Sequence, residues 1–118
     1  MLSITTTTEL LKKIKDPRHS INQQDFQGFS LLHKSFIKNH EFKEILLKNG
    51  ADPNIRNLND QSPLFYVKST NDVALLLKYG ALITLIDVYG NKAYHSNKFV
   101  KEFLEINENK FKKTLTKT

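Results

Sequence analysis

The chain has 118 residues, of which 39% are hydrophobic and 25% are charged, and its formal net charge is +6. This length predicts a single domain, and the composition is typical of a globular chain in water. No window approaches the roughly 18 apolar residues of a membrane span, residues 1–8 lack the pattern of a signal peptide, and the lack of cysteine excludes disulfides and cysteine-bound zinc.

The first predicted element is a helix over residues 7–16. Thr6 and Glu9 have the spacing of a capping box, and the apolar residues that follow recur on one side of the helix, opposite a lysine-rich side. Asp16 ends the helix because the residue before a proline, here Pro17, disfavours the α conformation.

A pair of helices follows a loop over residues 18–29. Ser30 is a suitable cap for a helix over about residues 31–38, and Asn39 is a suitable cap for a second helix over about residues 41–48. Gly50 comes directly after the second helix, which is where a C-terminal glycine is expected.

The next segment repeats this order of signals. Ser62 predicts a cap, and Pro63 is placed at the first helical position, where its missing N–H costs nothing. Thr70 or Asn71 predicts the cap of a second helix through residues 73–78, and Gly80 ends it.

A third segment carries weaker signals. Lys92 replaces the expected cap, and the second helix, over about residues 98–105, lacks a closing glycine. If this unit is loosely covered, Phe99 and Phe103 offer a surface for self-association, although a monomer is the first expectation. We expect residues 109–118, with four lysines and no acid, to form a basic flexible tail.

These segments are copies of one phrase. Its copies begin 32 and then 30 residues apart, and both gaps between them contain a Gly-Ala pair near their end. A period near 30 residues predicts units that bury their apolar faces against one another. The three copies are Asn22–His33, Asn54–Phe65 and Thr84–His95.

The repeated phrase resembles the ankyrin repeat, whose pattern is Asp-x-x-Gly-x-Thr-Pro-Leu-His followed by Leu-Leu-Leu-x-x-Gly-Ala-Asp. The resemblance implies an all-α fold, an ankyrin-repeat solenoid of stacked antiparallel helix pairs with β-hairpin-like loops. The second unit is a few residues short, so we expect its helices or their link to be trimmed. The implied domain covers residues 1–108, with a capping helix at 7–16, repeats at about 25–56, 57–86 and 87–106, and a tail at 109–118.

The sequence offers little support for catalysis or a cofactor. His33 and His95 occupy the histidine position of the ankyrin pattern, where the resemblance implies a structural bond to backbone and to the next unit. His40 and the following glutamate begin the zinc-protease pattern, but Glu44 stands where the second histidine is needed. The aspartates recur with the repeat, as turn residues do. We therefore expect a protein that is not an enzyme, with no metal and no cofactor.

The resemblance also implies where a partner binds. Ankyrin repeats bind through their hairpin tips and the exposed side of each first helix, and the tip positions here are unusually apolar for a surface loop. The implied partner-binding residues are Phe26, Gln27, Phe29, Ile37, Lys38, Arg56, Leu58, Asn59, Gln61, Ser69, Thr70, Val88, Tyr89 and Asn91.

We therefore expect a module that binds another protein, as an adaptor, an inhibitor or a host-directed effector. The alternative is a basic module that associates with nucleic acid through its lysine-rich convex face and its tail. The 16 lysines, two arginines and 11 asparagines suggest an AT-rich genome. The expected location is the cytoplasm, or the cytoplasm or nucleus of a host if the source is an intracellular bacterium or a virus.

Overall fold

The computed structural model describes residues 6–107, and regular structure in this range consists of short helices. Within it no strand forms, and two isolated β-bridges join Gln24 to Ser30 and Ile86 to Lys92. The all-α prediction is confirmed at this level, while the predicted tail at 109–118 lies outside the described residues. The α-helices are α1 Thr7–Lys15, α2 Leu31–Ile37, α3 Lys43–Lys48, α4 Thr70–Lys78, α5 Ala93–Ser96 and α6 Lys98–Ile106, and the 3₁₀ helices are η1 His40–Phe42 and η2 Pro63–Tyr66.

Two of the predicted helix caps are present. The Thr6 hydroxyl accepts a hydrogen bond from the Glu9 N–H at 3.1 Å, and the Ser30 hydroxyl accepts one from the His33 N–H at 3.3 Å. Asp16 is extended, with φ −75° and ψ 119°, which ends α1 before Pro17 as predicted. These signals work because each cap needs only residues within one helical turn.

Other predicted helix starts were wrong. The side chain of Asn39 makes no capping bond, and the chain enters its second helix through η1 instead. Helix α4 begins earlier than predicted, because Ser69 is the cap and accepts from the Asp72 N–H at 3.1 Å. Pro63 does stand at the first helical position, but η2 is one short 3₁₀ helix without a side-chain cap. The trimming expected of this unit therefore falls on its first helix.

The helices pack in two rows with the core between them. In the first row α2 contacts η2 and η2 contacts α5, while α4 contacts α6 and α1 contacts η1 in the second. Contacts between α2 and α3 and between α5 and α6 connect the rows. The molecule is correspondingly elongated, 43 × 25 × 20 Å. The largest buried apolar side chains include Leu10, Leu32, Phe36, Leu46, Leu64, Val73, Leu76, Val100 and Leu104.

No helix among residues 6–107 combines the length and the apolar character needed to cross a bilayer. The longest have nine residues, and a membrane span needs about 20.

A buried ion pair connects the second and first units. Asp72 is 2% exposed, and its carboxylate accepts from the Lys43 ammonium and from the Lys68 N–H at 3.0 Å. The Lys43 ammonium also lies 5.7 Å from the centre of the Phe36 ring. Lys43 is less exposed than the other lysines of the second helices because it reaches this carboxylate. The exposed members of that set are Lys48, Lys78, Lys98 and Lys101.

Replacement of Lys43 by methionine should lower the free energy of unfolding by about 2–4 kcal/mol, because it leaves the buried Asp72 charge without its cation. Lys34→Met is the control, since the Lys34–Asp25 pair is more exposed and its loss should cost about 1 kcal/mol or less. Urea denaturation followed by circular dichroism measures both. Equal losses in the two variants would contradict the assignment.

Candidate functional site

Three turns of the same geometry project from the helix rows. In the first, one carboxylate oxygen of Asp25 accepts from the N–H groups of Gln27 at 3.0 Å and Phe29 at 2.9 Å. Asn57 and Asp87 make the equivalent pairs of bonds, at 2.9 and 3.1 Å and at 2.9 and 3.0 Å. Asp and Asn serve equally because the turn uses one side-chain oxygen as acceptor.

The fourth residue of each turn has a positive φ. The angles are +85° at Gly28, +57° at Asp60 and +81° at Gly90. Glycine reaches this region without steric cost, and aspartate is one of the few other residues that visit it. The three turns therefore share one backbone path although the middle one lacks glycine.

Backbone hydrogen bonds join neighbouring turns. The Leu58 N–H donates to the Gln27 carbonyl at 3.0 Å, and the Val88 N–H donates to the Asn59 carbonyl at 2.9 Å. The same atoms at the same turn positions are used twice, so the turns lie side by side as one surface. We name this surface the tip ridge and define it as residues 25–29, 57–61 and 87–91.

Gly28 is placed where the first two turns approach most closely. A Cβ added to it would lie 2.7 Å from both the Asn57 Cα and the Leu58 nitrogen. The equivalent Gly90 would meet nothing within 4 Å. Glycine is thus required at Gly28 for space as well as for backbone conformation.

Gly90→Ala should lower the free energy of unfolding by roughly 1–2 kcal/mol, the cost of a left-handed backbone for alanine. Gly28→Ala should cost at least about 1 kcal/mol more, because it must also separate the Gln27–Leu58 hydrogen bond. Chemical denaturation gives both values, and amide exchange at Leu58 should accelerate only in Gly28→Ala. Equal destabilisation would show that the close approach is unimportant.

The tip ridge exposes large apolar side chains. Phe26 is 93% exposed, Leu58 71% and Val88 53%, all at the second turn position. Tyr89, at the third position of the last turn, is 71% exposed. Because the turns are hydrogen-bonded to one another, these side chains form a row rather than scattered contacts. Gln27, Arg56, Asn59 and Asn91, also predicted as binding residues, are exposed polar neighbours of the row.

Two predicted binding residues of the ridge are part of the internal packing instead. Phe29 is half-buried, and its ring makes edge contacts with the rings of His33 and Tyr66, both at 5.5 Å between centres. The Gln61 side chain donates from its Nε2 to the Asp87 carboxylate at 2.9 Å, and its Oε1 accepts a hydrogen bond from the Tyr66 hydroxyl. Both side chains connect neighbouring units, which sequence position alone does not reveal.

The remaining predicted residues lie away from the tips. Ser69 and Thr70 are half-buried at the start of α4, where the Ser69 hydroxyl is occupied as the helix cap. Ile37 and Lys38 are exposed at the end of α2, where they line a groove between α1 and α2. The predicted binding residues therefore fall into three groups. Some are exposed on or beside the tip ridge, two line the groove, and the others take part in internal packing or lie at the start of α4.

Sequence reasoning missed Ile86, which is 50% exposed beside the third turn. It occupies the position held by Gln24 and Arg56 in the other units. Aligning the three phrases at that position would have found it, since an isoleucine there replaces two polar residues. Ile86 extends the apolar row next to Val88 and Tyr89.

His33 connects the first unit to the second. Its Nδ1 accepts from the Ser30 N–H at 3.1 Å, so Nε2 carries the proton and donates to the Gln61 carbonyl at 2.8 Å. Burial lowers the pKa of the imidazole, outweighing the opposite effects of the Gln61 carbonyl and the Asp25 charge. A proton on Nδ1 would face the Ser30 N–H, which together with burial favours the neutral ring.

His95 differs from the structural role expected for it. Its Nδ1 accepts from the Lys92 N–H at 3.0 Å, as His33 does from Ser30. However, its side chain is exposed, and no described residue lies where a following unit would accept from Nε2. Among residues 6–107, no three histidine, aspartate or glutamate side chains converge in a way that could hold a metal ion.

The His33 bond makes stability depend on pH. Because the folded pKa lies below the unfolded value of about 6.5, the unfolded chain binds more protons in mildly acidic solution, and stability should fall as pH falls from 7 towards 5. His33→Gln should reduce this slope and cost about 1–3 kcal/mol at neutral pH. Urea titrations across this range measure the slope, and an unchanged slope in His33→Gln would contradict the assignment.

Comparison with known proteins gives one partial similarity. No family model matches the chain. Oxysterol-binding protein-related protein 1 from Homo sapiens is 30% identical over 95 residues, which cover 79% of this chain and 10% of that protein. This chain thus spans about a tenth of the length of that relative, and the oxysterol binding in the relative's name describes that protein as a whole.

Proposed function

We propose that this chain is an ankyrin-repeat protein that binds another protein through its tip ridge. The recurrence of the same bonds in register supports the repeat assignment. The Asn22 side chain accepts from the Asp52 N–H at 2.8 Å, and Asn54, the equivalent residue of the next unit, accepts from the Leu82 N–H at 2.8 Å. The stacked helix rows and the hydrogen-bonded turns are what an ankyrin solenoid requires.

The observation that carries the proposed function is the exposed apolar row on a fixed backbone. Phe26, Leu58 and Tyr89 each expose more than two thirds of their surface, and large apolar and aromatic side chains of this kind anchor protein interfaces. The bonds between turns hold the row before any partner arrives, so little ordering is needed on binding. Arg56 adds an exposed cation near the middle of the row.

The proposed role is binding without catalysis. Asp25 and Asp87, two carboxylates at the first position of their turns, each accept two backbone N–H bonds. Burial raises the pKa of both, but these bonds, with Lys34 at Asp25 and Gln61 at Asp87, outweigh it, so each pKa lies below its usual value. Such groups stay ionised and are poor proton donors. A protein of this kind acts by holding, masking or displacing its partner, as an adaptor, an inhibitor or an effector.

Alanine at Phe26, Leu58 and Tyr89 together should abolish capture of the partner while leaving helical content unchanged, because all three side chains are exposed. The matched control replaces Leu82 and Ile106, exposed by 52% and 70% outside the tip ridge, with alanine. Affinity capture from cell lysate with quantitative mass spectrometry compares the unmodified protein, the triple variant and the control variant.

The proposal fails if the triple variant captures the same proteins as the control. Capture that survives the triple change but weakens steeply with added salt would favour the alternative, a basic surface bound to nucleic acid. A ridge interface built on apolar contacts should change little with salt, since no phosphate charges are neutralised.

A further inference from the structure

A groove of about 900 Å³ lies between α1 and α2. One wall is the inner side of α1, the other is a face of α2, and η1 and α3 contribute the base. Residues of the 19–25 segment border the groove at one end. The apolar lining includes Leu10, Ile14, Leu31, Ile37, Phe42 and Leu46.

The position of this groove follows from the order of the rows. In the first row, α2 packs against η2 and η2 packs against α5, so each later member is covered by the one before it. Helix α1 packs against η1, which belongs to the second row. The face of α2 that bears Leu31, Ile37 and Lys38 therefore lies at the start of the first row, where no earlier described helix of that row packs on it, and Ile37 and Lys38 are exposed there.

Cations outnumber acids among the residues that line the groove. Lys13 lines it from α1, and Lys34 and Lys38 line it from α2. Asp25 is the acidic residue among those lining the groove, and it pairs with Lys34 at 3.2 Å. Lys13 and Lys38 thus leave two cations beside an apolar base, which attracts a segment with acidic edges and an apolar face.

We propose that this groove binds an acidic amphipathic helix of a partner protein, seated beside α2 as a further member of the first row. The volume of the groove, about 900 Å³, is close to that of such a helix. A helix about 10 Å across and two turns long, the length of α2, occupies roughly 800 Å³. Glutamates or aspartates at the edges of the helix face Lys13 and Lys38, and its leucine-like side chains fill the space above Ile14, Leu31 and Ile37.

Charge argues against two other occupants, which are residues 109–118 of this chain and a second copy of the protein. Residues 109–118 carry four lysines and no acid, so the rim repels them. Helix α6 exposes Lys98 and Lys101 as well as Glu102 and Glu105, so a second copy presents mixed charge rather than an acidic edge. The groove is also separate from the apolar row of the tip ridge, so the two surfaces can be tested independently.

The probe is a synthetic peptide of about 14 residues, with leucines at helical i, i+3, i+4, i+7 spacing and glutamates on the flanking positions. A fluorescein-labelled form is titrated with the full chain, and backbone amide shifts locate the site. Two control peptides have the same length. One carries lysine for glutamate, and the other has the same composition in scrambled order.

Four protein variants test the location. Ile37→Glu places a charge on the α2 wall of the groove, and Leu82→Glu places the same charge at another exposed apolar position. The double variant Lys13→Glu, Lys38→Glu reverses the rim, and Lys68→Glu, Lys101→Glu changes net charge equally at exposed sites outside it. Circular dichroism and melting temperature verify that each variant folds.

We expect the acidic peptide to bind at least about tenfold more tightly than either control peptide, with amide shifts in α1 and α2. Ile37→Glu and the rim reversal should each weaken binding about tenfold or more, whereas their matched controls and the Phe26, Leu58, Tyr89 alanine variant should change it less than about twofold. The proposal is overturned if no amide shifts at about 1 mM peptide, the weakest binding worth assigning. It is equally overturned if the lysine peptide binds as well, or if the shifts fall on residues 57–61 and 87–91 of the tip ridge rather than on α1 and α2.

Discussion

None of the helices in residues 6–107 is long enough to be stable alone, and the rest of the structure depends on that constraint. The longest in the described range have nine residues, whereas isolated helices shorter than about 12–15 residues are marginal in water. Each helix must therefore bury an apolar face against a neighbour, and the core runs continuously from Leu10 in α1 to Leu104 in α6. Surfaces for partners can arise only where this mutual burial stops: at the turns and at an uncovered helix face.

Polar bonds between units set how neighbouring units are aligned, which apolar contact alone does not specify. The Lys43–Asp72 pair, the His33–Gln61 bond and the bonds between turns each connect residues about 28 to 31 positions apart. A shift of one unit against the next would leave buried groups without partners, and such a loss is costly. The same bonds hold the tips in a fixed row, so the stability of the stack and the order of the tip ridge have one cause.

Sequence signals succeeded where their chemistry is complete within a few residues. The caps at Thr6 and Ser30 and the positive φ angles at the glycines needed no information from elsewhere. The cap of α4 was misplaced because Ser69, Thr70 and Asn71 are all suitable caps in succession, and packing of Asp72 against Lys43 selects the first. Phe29 was predicted as a binding residue, but it packs against Tyr66 of the next unit.

The sequence by itself determined the repeat period, the turn positions and the apolar residue at the second position of each tip, because these follow from local spacing and backbone preference. Only the tertiary structure decided which side chains remain exposed. It moved Phe29 and Gln61 into the contacts between units, left Ile86 beside the ridge, and opened the groove between α1 and α2. Those outcomes depend on which helix lies next to which, and that is set by contacts between residues far apart in the chain.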